Sequence, residues 1–384
     1  MVSLDILWWI VLARVTNHSG RIVISIFMLA MMLGLIAIIA SRMWRFDWDR
    51  LLPKFAVSAI FIWHFIGLGL LALIGLLLIP ILLGQKIISR NAPAKVEQAS
   101  ESSAWSRRDF LRFGAAALPP FFTFGLTGIA LAQLNSFRVR RFVLPIVDLP
   151  SGLDGMTIAQ VSDMHVGRFT KGEVLQKTVA LVNELRADLV LLTGDLINDA
   201  LADLDTGLEI ARAFESRFGL AIIEGNHDLI ENPREFETRV RNSGIPFLLD
   251  ESTIVDVRGV PIQLLGLRWT RVHGEGRDAA IGADVRKLLE QRNADAFPIL
   301  LAHHPHAFDA AAEAGVPLTF SGHTHGGQLM LNEQLGFGPA LFRYWSGLYE
   351  RGASKLIVSN GVGNWFPLRV NAPAEIVHVT LRRA

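Results

Sequence analysis

Two long apolar stretches near the N-terminus constrain the fold of this chain more than any other feature. The first covers residues 22–40 and the second covers residues 55–84, and neither contains Asp, Glu, Lys or Arg. Each reaches the roughly 20 residues with which a helix crosses the hydrocarbon core of a bilayer. Trp44 and Trp48 follow the first stretch, where interfacial aromatic side chains are common. Because helices of globular proteins rarely stay uncharged over such lengths, residues 1–90 are predicted to form a membrane anchor with two transmembrane helices. His64 has no charged partner in its own stretch, which favours a role in helix packing.

A third uncharged stretch covers residues 113–136 and follows the heptapeptide Ser-Arg-Arg-Asp-Phe-Leu-Arg at 106–112. This heptapeptide resembles the twin-arginine export signal, with Arg112 in place of the usual Lys. Such signals normally open a chain, whereas this one follows two predicted spans. Residues 107–137 are therefore either a segment that the twin-arginine export machinery recognises or a plain third hydrophobic span. Both alternatives predict a multi-pass protein of the inner membrane whose C-terminal domain lies on the external, periplasmic side.

The remaining composition excludes several classes of function. Residues 91–106 are polar and aperiodic, as in a linker. The formal net charge is only +1, so no overall basic field indicates a nucleic-acid partner. The chain has no cysteine, which excludes thiol catalysis, cysteine-ligated zinc and disulfides.

From about residue 145 onward, short apolar runs alternate with helical patterns, which is typical of a layered α/β domain extending over residues 145–384. The sequence predicts strands at residues 156–162, 189–193, 220–224, 262–267, 299–302, 318–321, 356–359 and 376–381. It predicts helices at residues 171–186, 203–218, 234–242, 284–292 and 307–314. Ligands of such domains bind at the carboxyl ends of the strands.

Side chains that can bind metals follow these predicted strands directly. The candidate ligands are Asp163, His165, Asp195, Asn226, His303, His323 and His325. Nitrogen and oxygen donors without sulfur suit Mn, Fe, Zn, Ni or Co, and the sequence does not distinguish among these metals. Seven ligands are too many for one transition metal, but they suit two divalent ions about 3.5–4 Å apart that share a carboxylate. Asp195 is the natural bridging ligand.

The spacing of these residues indicates hydrolytic chemistry. In an extended segment alternate residues face the same side, so Asp163 and His165 are expected to reach one ion, as are His323 and His325. Two cations lower the pKa of a bridging water and produce hydroxide at neutral pH. His227 follows Asn226 in the same loop and is the candidate catalytic residue that protonates the leaving oxygen.

Taken together, these motifs resemble the signature of the calcineurin-like metallophosphoesterases, and within that superfamily they are most similar to a bacterial membrane-associated phosphodiesterase group. The motifs are Asp163-x-His165, Gly194-Asp195, Gly225-Asn226-His227-Asp228, His303 and Gly322-His323-Thr324-His325-Gly326-Gly327-Gln328. The resemblance implies a four-layer α-β-β-α sandwich. It assigns one metal to Asp163, His165, Asp195 and His325, and the other to Asp195, Asn226, His303 and His323. It also implies that His227 is the catalytic acid or orients the substrate.

The sequence departs from the family pattern at one position and leaves a second undecided. Asn198 stands where the family often has a second Asp after Gly-Asp-x-x, which predicts altered tuning of the site rather than its loss. His303 and His304 are adjacent, so a shift of one residue would exchange their roles.

The sequence as a whole predicts a membrane-anchored phosphodiesterase that hydrolyses a lipid-linked or cell-envelope phosphoester through a dimetal-bound hydroxide. The alternative is a non-catalytic metal-binding scaffold or regulatory membrane protein on the same fold. The expected partners are the phosphoester substrate, the lipid bilayer and the twin-arginine export machinery, with no nucleic acid. Two aromatic pairs are candidates for lining a substrate groove, with ordinary packing as the alternative: Trp345 with Tyr349, and Trp365 with Phe366. The apolar residues 337–342 are candidates for contact with the bilayer.

Overall fold

A computed structural model describes residues 2–13, 18–44, 52–70, 72–73, 76, 107–333 and 335–384. The chain divides into two compact units, Met1–Leu131 and Ala132–Ala384. The predicted linker at 91–106, Trp48 and the end of the second apolar stretch lie outside the described residues.

Helices make up the described part of the N-terminal unit. They are α1 (Val2–Ala13), α2 (His18–Trp44), α3 (Lys54–Phe61), which continues as a π-helical turn (Ile62–Gly67), and α4 (Arg107–Gln133). Among the described helices, α2 alone is long and apolar enough to cross a membrane, over Gly20–Ser41. For the described residues, the prediction of two transmembrane helices is therefore an overstatement. The apolar helix described in the second stretch, Lys54–Leu70, is shorter than a membrane span. The third stretch is helical, and α4 continues through Pro119 and Pro120.

A polar contact lies inside this helical unit. Trp63 donates its indole N–H to Asp5 Oδ1 at 2.9 Å, and His64 Nε2 lies 3.4 Å from Asp5 Oδ2. The rings of Trp8 and Phe27 pack edge-on against Trp63. His64 thus has an acidic neighbour on α1, a contact between helices that could not be read from its own stretch.

Two β-sheets form the centre of the C-terminal unit. The first sheet has the order β1-β11-β2-β3-β4 and the second has the order β5-β6-β7-β8-β10-β9. The strands are β1 (Phe137–Ile146), β2 (Thr157–Val161), β3 (Leu189–Thr193), β4 (Leu220–Ile223), β5 (Glu251–Val257), β6 (Val260–Gly266), β7 (Phe297–Leu301), β8 (Leu318–Ser321), β9 (Gly347–Arg351), β10 (Ser354–Val358) and β11 (Ala374–Arg383). The neighbours β2, β3 and β4 run parallel, as do β6, β7, β8 and β10.

The main core lies between the two sheets. Ile158 and Leu191 of the first sheet and Leu264 and Ile299 of the second belong to one buried apolar cluster. The helices of this unit are α5 (Glu173–Glu184), α6 (Leu204–Arg212), α7 (Pro233–Asn242), α8 (Arg277–Leu289), α9 (Ala307–Glu313) and the short α10 (Gly338–Leu341). Side chains of α5, α6 and α7 pack with the first sheet, and those of α8 and α9 pack with the second. The predicted four-layer α-β-β-α sandwich is confirmed.

Helix α7 illustrates how local sequence produces this packing. Asn232 precedes the helix and its side chain accepts a hydrogen bond from the backbone N–H of Glu235, while Pro233 occupies the first turn, where no N–H is needed. Phe236 and Val240 are four residues apart, share one face and are fully buried.

All eight predicted strands and all five predicted helices of this unit are present, with ends that differ by up to seven residues. Three strands were not predicted, namely β1, β5 and β9, and each of them is an edge strand. Edge strands face solvent along one side and can carry charged side chains, so they lack the continuous apolar run that reveals a central strand. As a result, the sheet begins at Phe137, before the domain start at 145 that the sequence predicts.

Candidate metal centre

The predicted ligands lie on loops at one edge of the two sheets. The loops after β2, β3 and β4 come from the first sheet, and those after β7 and β8 come from the second. Backbone bonds join them, since Asp163 N donates to Gly194 O at 3.0 Å and His165 N donates to Asp195 O at 2.9 Å. Gly322 N donates to His303 O at 3.2 Å within the second sheet.

One group of potential ligands consists of Asp163, His165 and His325, all buried. Asp163 Oδ1 lies 3.2 Å from His325 Nε2, and the Nε2 atoms of His165 and His325 are 2.9 Å apart. A second group consists of Asp195, His303 and His323. Asp195 Oδ2 lies 3.1 Å from His303 Nε2 and 3.6 Å from His165 Nε2, so this carboxylate lies between the two groups.

These donors fit divalent cations. Ligand atoms that bind one ion at about 2.0–2.2 Å lie about 3 Å apart, which is the spacing observed here. Two imidazole Nε2 atoms at 2.9 Å can share one hydrogen at most, whereas a bound cation can accept a lone pair from each of them. Among the described residues, His165 Nδ1 and Asn226 Oδ1 are buried with no hydrogen-bond partner. Asn226, the predicted amide ligand, thus has a free acceptor at this edge.

The electrostatics of the site also suit metal binding. Burial lowers the pKa values of His165, His323 and His325, which keeps these imidazoles neutral and able to donate a lone pair. Burial also opposes a charge on His303, but Asp195 and Asp163 outweigh it and raise the pKa of His303 to about 9. Burial opposes ionisation of Asp163, but His325 and His303 outweigh it and lower the pKa of that carboxyl to about 2. The neutral imidazoles and the Asp163 carboxylate attract a divalent cation, and His303 must release its proton to join them as a ligand.

The backbone of the ligands is unusual. Five of them have positive φ angles, namely Asp163 (53°), His165 (44°), Asp195 (54°), His323 (72°) and His325 (50°). The expectation that an extended backbone aligns the Asp-x-His and His-x-His pairs is therefore wrong, and His323 and His325, which were expected to reach one ion, belong to different groups. These side chains converge because tight left-handed turns aim them at the site, at a cost of about 1–3 kcal/mol for each non-glycine residue.

Glycines allow the loops to approach each other. A Cβ atom at Gly225 would lie 2.2 Å from Asp195 Oδ1, and one at Gly322 would lie 1.9 Å from Ser162 Oγ. Both distances are far below van der Waals contact. Only glycine therefore fits at these two positions without displacing a ligand or its neighbour.

His227 lies beside the first group. Its backbone N–H donates to Asp195 Oδ1 at 2.8 Å, and its ring is 4.5 Å from the ring of His165. Its Nδ1 is 2.6 Å from the carbonyl oxygen of Asn198, which fixes Nδ1 as a donor and leaves Nε2 as the nitrogen that can exchange a proton. Asn198, the departure from the family pattern, therefore contacts the candidate acid through its backbone.

The structure distinguishes the two adjacent histidines. His303 reaches Asp195, whereas His304 turns away and its Nδ1 accepts the backbone N–H of His306 at 3.2 Å. Burial lowers the pKa of His304 to about 3. His304 packs against Trp269 instead of joining either group of ligands.

Two residues beside the ligands were not predicted from the sequence. Trp269 follows β6, and its ring lies 4.9 Å from that of His323 and 5.5 Å from that of His303. Arg369 is fully buried, and its Nη2 lies 3.5 Å from His325 Nδ1. Neither residue belongs to a recognisable motif, because each reaches the site from an irregular segment.

The candidate groove aromatics separate into two cases. Trp345 is buried against Met330, and its backbone N–H donates to the Tyr349 hydroxyl at 2.9 Å, so this pair packs the fold. The Trp365 ring lies 5.8 Å from the His227 ring and packs edge-on against Phe366, so Trp365 lies beside the candidate metal centre.

Comparison with known proteins agrees with this geometry. Residues 156–327 match the sequence family described as calcineurin-like phosphoesterase. A Danio rerio protein described as a transmembrane protein with metallophosphoesterase domain is 31% identical over 312 residues, which cover 78% of this chain and 68% of that protein. The chain belongs to the calcineurin-like metallophosphoesterases.

A bacterial protein of the same family is also similar to this chain. An uncharacterized metallophosphoesterase of Bacillus subtilis is 28% identical over 298 residues, which cover 72% of this chain and 98% of that protein. As a calcineurin-like metallophosphoesterase, the chain is a hydrolase of phosphoric ester bonds. The family typically uses a dimetal centre, and the two groups of donors, which are buried except for the partly buried His323, supply candidate ligands for one.

Proposed function

We propose that this metallophosphoesterase is a phosphodiesterase that holds two divalent cations in the loops at one edge of its two sheets. One ion would be held by Asp163, His165, Asp195 and His325, and the other by Asp195, Asn226, His303 and His323. The observation that carries this proposal is the position of Asp195, whose Oδ2 lies within 3.6 Å of a histidine from each group. Such a carboxylate can serve two ions at once.

The protein's own residues divide the chemical work. When bound, two divalent cations supply positive charge that lowers the pKa of water and offsets charge on the phosphate. Asn198 orients His227 by accepting its Nδ1–H, and His227 Nε2 then gives a proton to the oxygen that leaves the phosphorus. Trp269 packs against His323 and His303 and keeps their rings in place.

Membrane anchoring supports a lipid-linked or cell-envelope phosphoester as the substrate. Helix α2 has the length and composition of a membrane span, and the Danio rerio relative is described as a transmembrane protein. We place the N-terminal helices in an inner membrane and the catalytic unit at its external face. A tethered enzyme meets lipid headgroups at high effective concentration, which favours substrates of that class.

The test uses the full chain, purified in detergent and loaded with Mn²⁺. Hydrolysis of bis(p-nitrophenyl) phosphate and of p-nitrophenyl phosphate is compared for wild type, Asp195→Asn and Asp205→Asn. Asp205 is an exposed carboxylate on α6 and serves as the matched control. We expect two ions per wild-type chain, faster hydrolysis of the diester, and a loss of about 100-fold or more in Asp195→Asn only.

Two results would contradict the proposal. A folded wild-type chain that binds no metal would overturn the assigned ligands. A chain that binds two ions but hydrolyses neither ester would favour the non-catalytic scaffold that the sequence leaves open.

A further inference from the structure

We propose that the described residues 329–333 and 335–342, called here the apolar loop, insert into the interfacial region of the bilayer and present the metal centre to lipid headgroups. The proposal rests on the membrane anchoring and lipid substrate class proposed above. It adds a second attachment of the catalytic unit to the membrane, distinct from the N-terminal helices.

The apolar loop exposes large hydrophobic side chains. The exposed fraction is 74% for Leu331, 55% for Leu335, 45% for Phe337 and 62% for Leu341. Single exposed leucines are common on soluble proteins, but four within eleven residues form a patch, and exposed patches of this kind mark interaction sites. Leucine and phenylalanine are also the side chains that anchor proteins in the acyl boundary of a bilayer.

The loop is folded against the metal centre. Phe337 N donates to Leu329 O at 2.9 Å, and Met330 pairs with Gly336 in an isolated bridge. A Cβ atom at Gly327, in the His-Thr-His-Gly-Gly motif, would lie 2.3 Å from the backbone nitrogen of Gly338. The exposed side chains are therefore carried on a backbone that the fold holds in place.

Phe342 ends the loop at the ligands themselves. Its ring lies 5.5 Å from that of His323 and 6.4 Å from that of His304. A headgroup beside the inserted loop would thus be close to the ligands.

The charge of the loop is neutralised. Glu333 is the one charged residue in the sequence of this segment. Arg138 Nη1 lies 2.9 Å from Glu333 Oε1, and Arg140 Nη2 lies 3.2 Å from Glu333 Oε2. Since the pairing cancels the negative charge of the loop, anionic headgroups would not repel it.

The position of the loop in the chain identifies the bilayer as its partner. Asn371 Nδ2 donates to Met330 O at 3.1 Å, and Asn371 N donates to Gln133 Oε1 at 2.5 Å. Gln133 is the final residue of α4, which includes most of the uncharged stretch at 113–136. Within the C-terminal unit, hydrogen bonds therefore connect the apolar loop through Asn371 to Gln133, where the chain enters this unit from an apolar stretch, as expected for a surface that meets the same membrane.

The absence of cysteine from the chain permits a direct test by single-site spin labelling. Leu335→Cys and Leu341→Cys are labelled in the full chain and reconstituted in nanodiscs of phosphatidylethanolamine and phosphatidylglycerol. Ile254→Cys is the matched control, since Ile254 is 51% exposed on the edge strand β5. The measurement is the ratio of the collision rate with oxygen to that with water-soluble chromium oxalate.

Insertion predicts a ratio at residues 335 and 341 that is roughly threefold or more above the ratio at residue 254, because oxygen partitions into the acyl region and the oxalate complex does not. Equal ratios at all three sites would overturn the proposal. Labels that are immobilised and shielded from both reagents would also overturn it, and would indicate a protein partner. Hydrolysis of bis(p-nitrophenyl) phosphate by the same labelled chains tests the proposed function separately, so inserted labels on an inactive chain would leave the loop assignment standing.

Discussion

Replacing the buried Arg369 tests how the loops around the metal centre are held together. The guanidinium of this residue donates to the side-chain oxygen of Asn364 and to the carbonyl oxygens of Asn360, Gly361, Gly363 and Ala372. Burial lowers its pKa to about 10, so Arg369 stays charged at neutral pH. A lysine at this position keeps the charge but donates three hydrogen bonds at most.

The expected magnitude follows from counting acceptors. Gly361 O also accepts the backbone N–H of Glu375, so it keeps a partner in the variant. Among the described hydrogen bonds, Arg369 is the only donor to the other four acceptors. A lysine has three N–H groups, so Arg369→Lys leaves at least one of these four oxygens without a donor. A buried unsatisfied acceptor costs about 1–3 kcal/mol, so the free energy of unfolding should fall by at least that amount. Arg369→Met leaves all four unsatisfied, a loss of about 4–12 kcal/mol that approaches the total stability of a domain.

Urea unfolding of the metal-free full chain in detergent, followed by tryptophan fluorescence, measures these differences. Arg343→Lys is the control, because Arg343 is exposed and binds Asp278 and Asp309 at the surface. Exposed pairs contribute about 0–1 kcal/mol, so this control should unfold nearly as the wild type does. An Arg369→Lys chain within about 0.5 kcal/mol of wild type would refute the reasoning, since it would show that the carbonyls need no fixed donor.

Two further predictions concern the site and the sheet. Gly225→Ala should weaken Mn²⁺ binding by about 10–100-fold in calorimetric titration, because its Cβ displaces the Asp195 carboxylate. Gly276→Ala is the control, because its Cβ meets only an ordinary van der Waals contact. Equal Mn²⁺ affinities of the two variants would contradict the prediction. Burial and Arg141 lower the pKa of His378 below its usual 6.5, so its contribution to stability is present above that pH and is lost as pH falls through the folded pKa. Lowering the pH from about 7 to about 5 should therefore reduce the free energy of unfolding, measured with urea, more for the wild type than for His378→Gln. Equal reductions in the two chains would exclude this role of His378.

The sequence predicts most of the catalytic unit because its central strands are apolar and its ligands follow them. Parallel strands such as β2 and β3 end at the same edge of the sheet, so motifs that are distant in sequence meet in space. Strand β1 was missed because Arg138 and Arg140 interrupt its apolar pattern, and their partner Glu333 lies almost 200 residues away. Pairing of that kind has no local signal.

The site shows the same division between local and distant information. Residue type and order identify Asp163 and His325 as candidate ligands, but the left-handed backbone that aims them depends on contacts with other loops. The choice of His303 over His304 and the role of Arg369 likewise depend on packing between segments distant in the chain. The membrane part is harder to predict, because an apolar run indicates a helix without indicating its neighbours, such as Asp5 beside His64.

The left-handed turns at the ligands have a consequence for how this protein can evolve. Asp163, His165 and Asp195 each occupy a conformation that asparagine or glycine would adopt with less strain. Selection for heat resistance alone would therefore favour replacing the very residues that bind the metals. The ligands persist only where metal binding is selected, so an intact set in any descendant of this chain would be a record of continued metal binding.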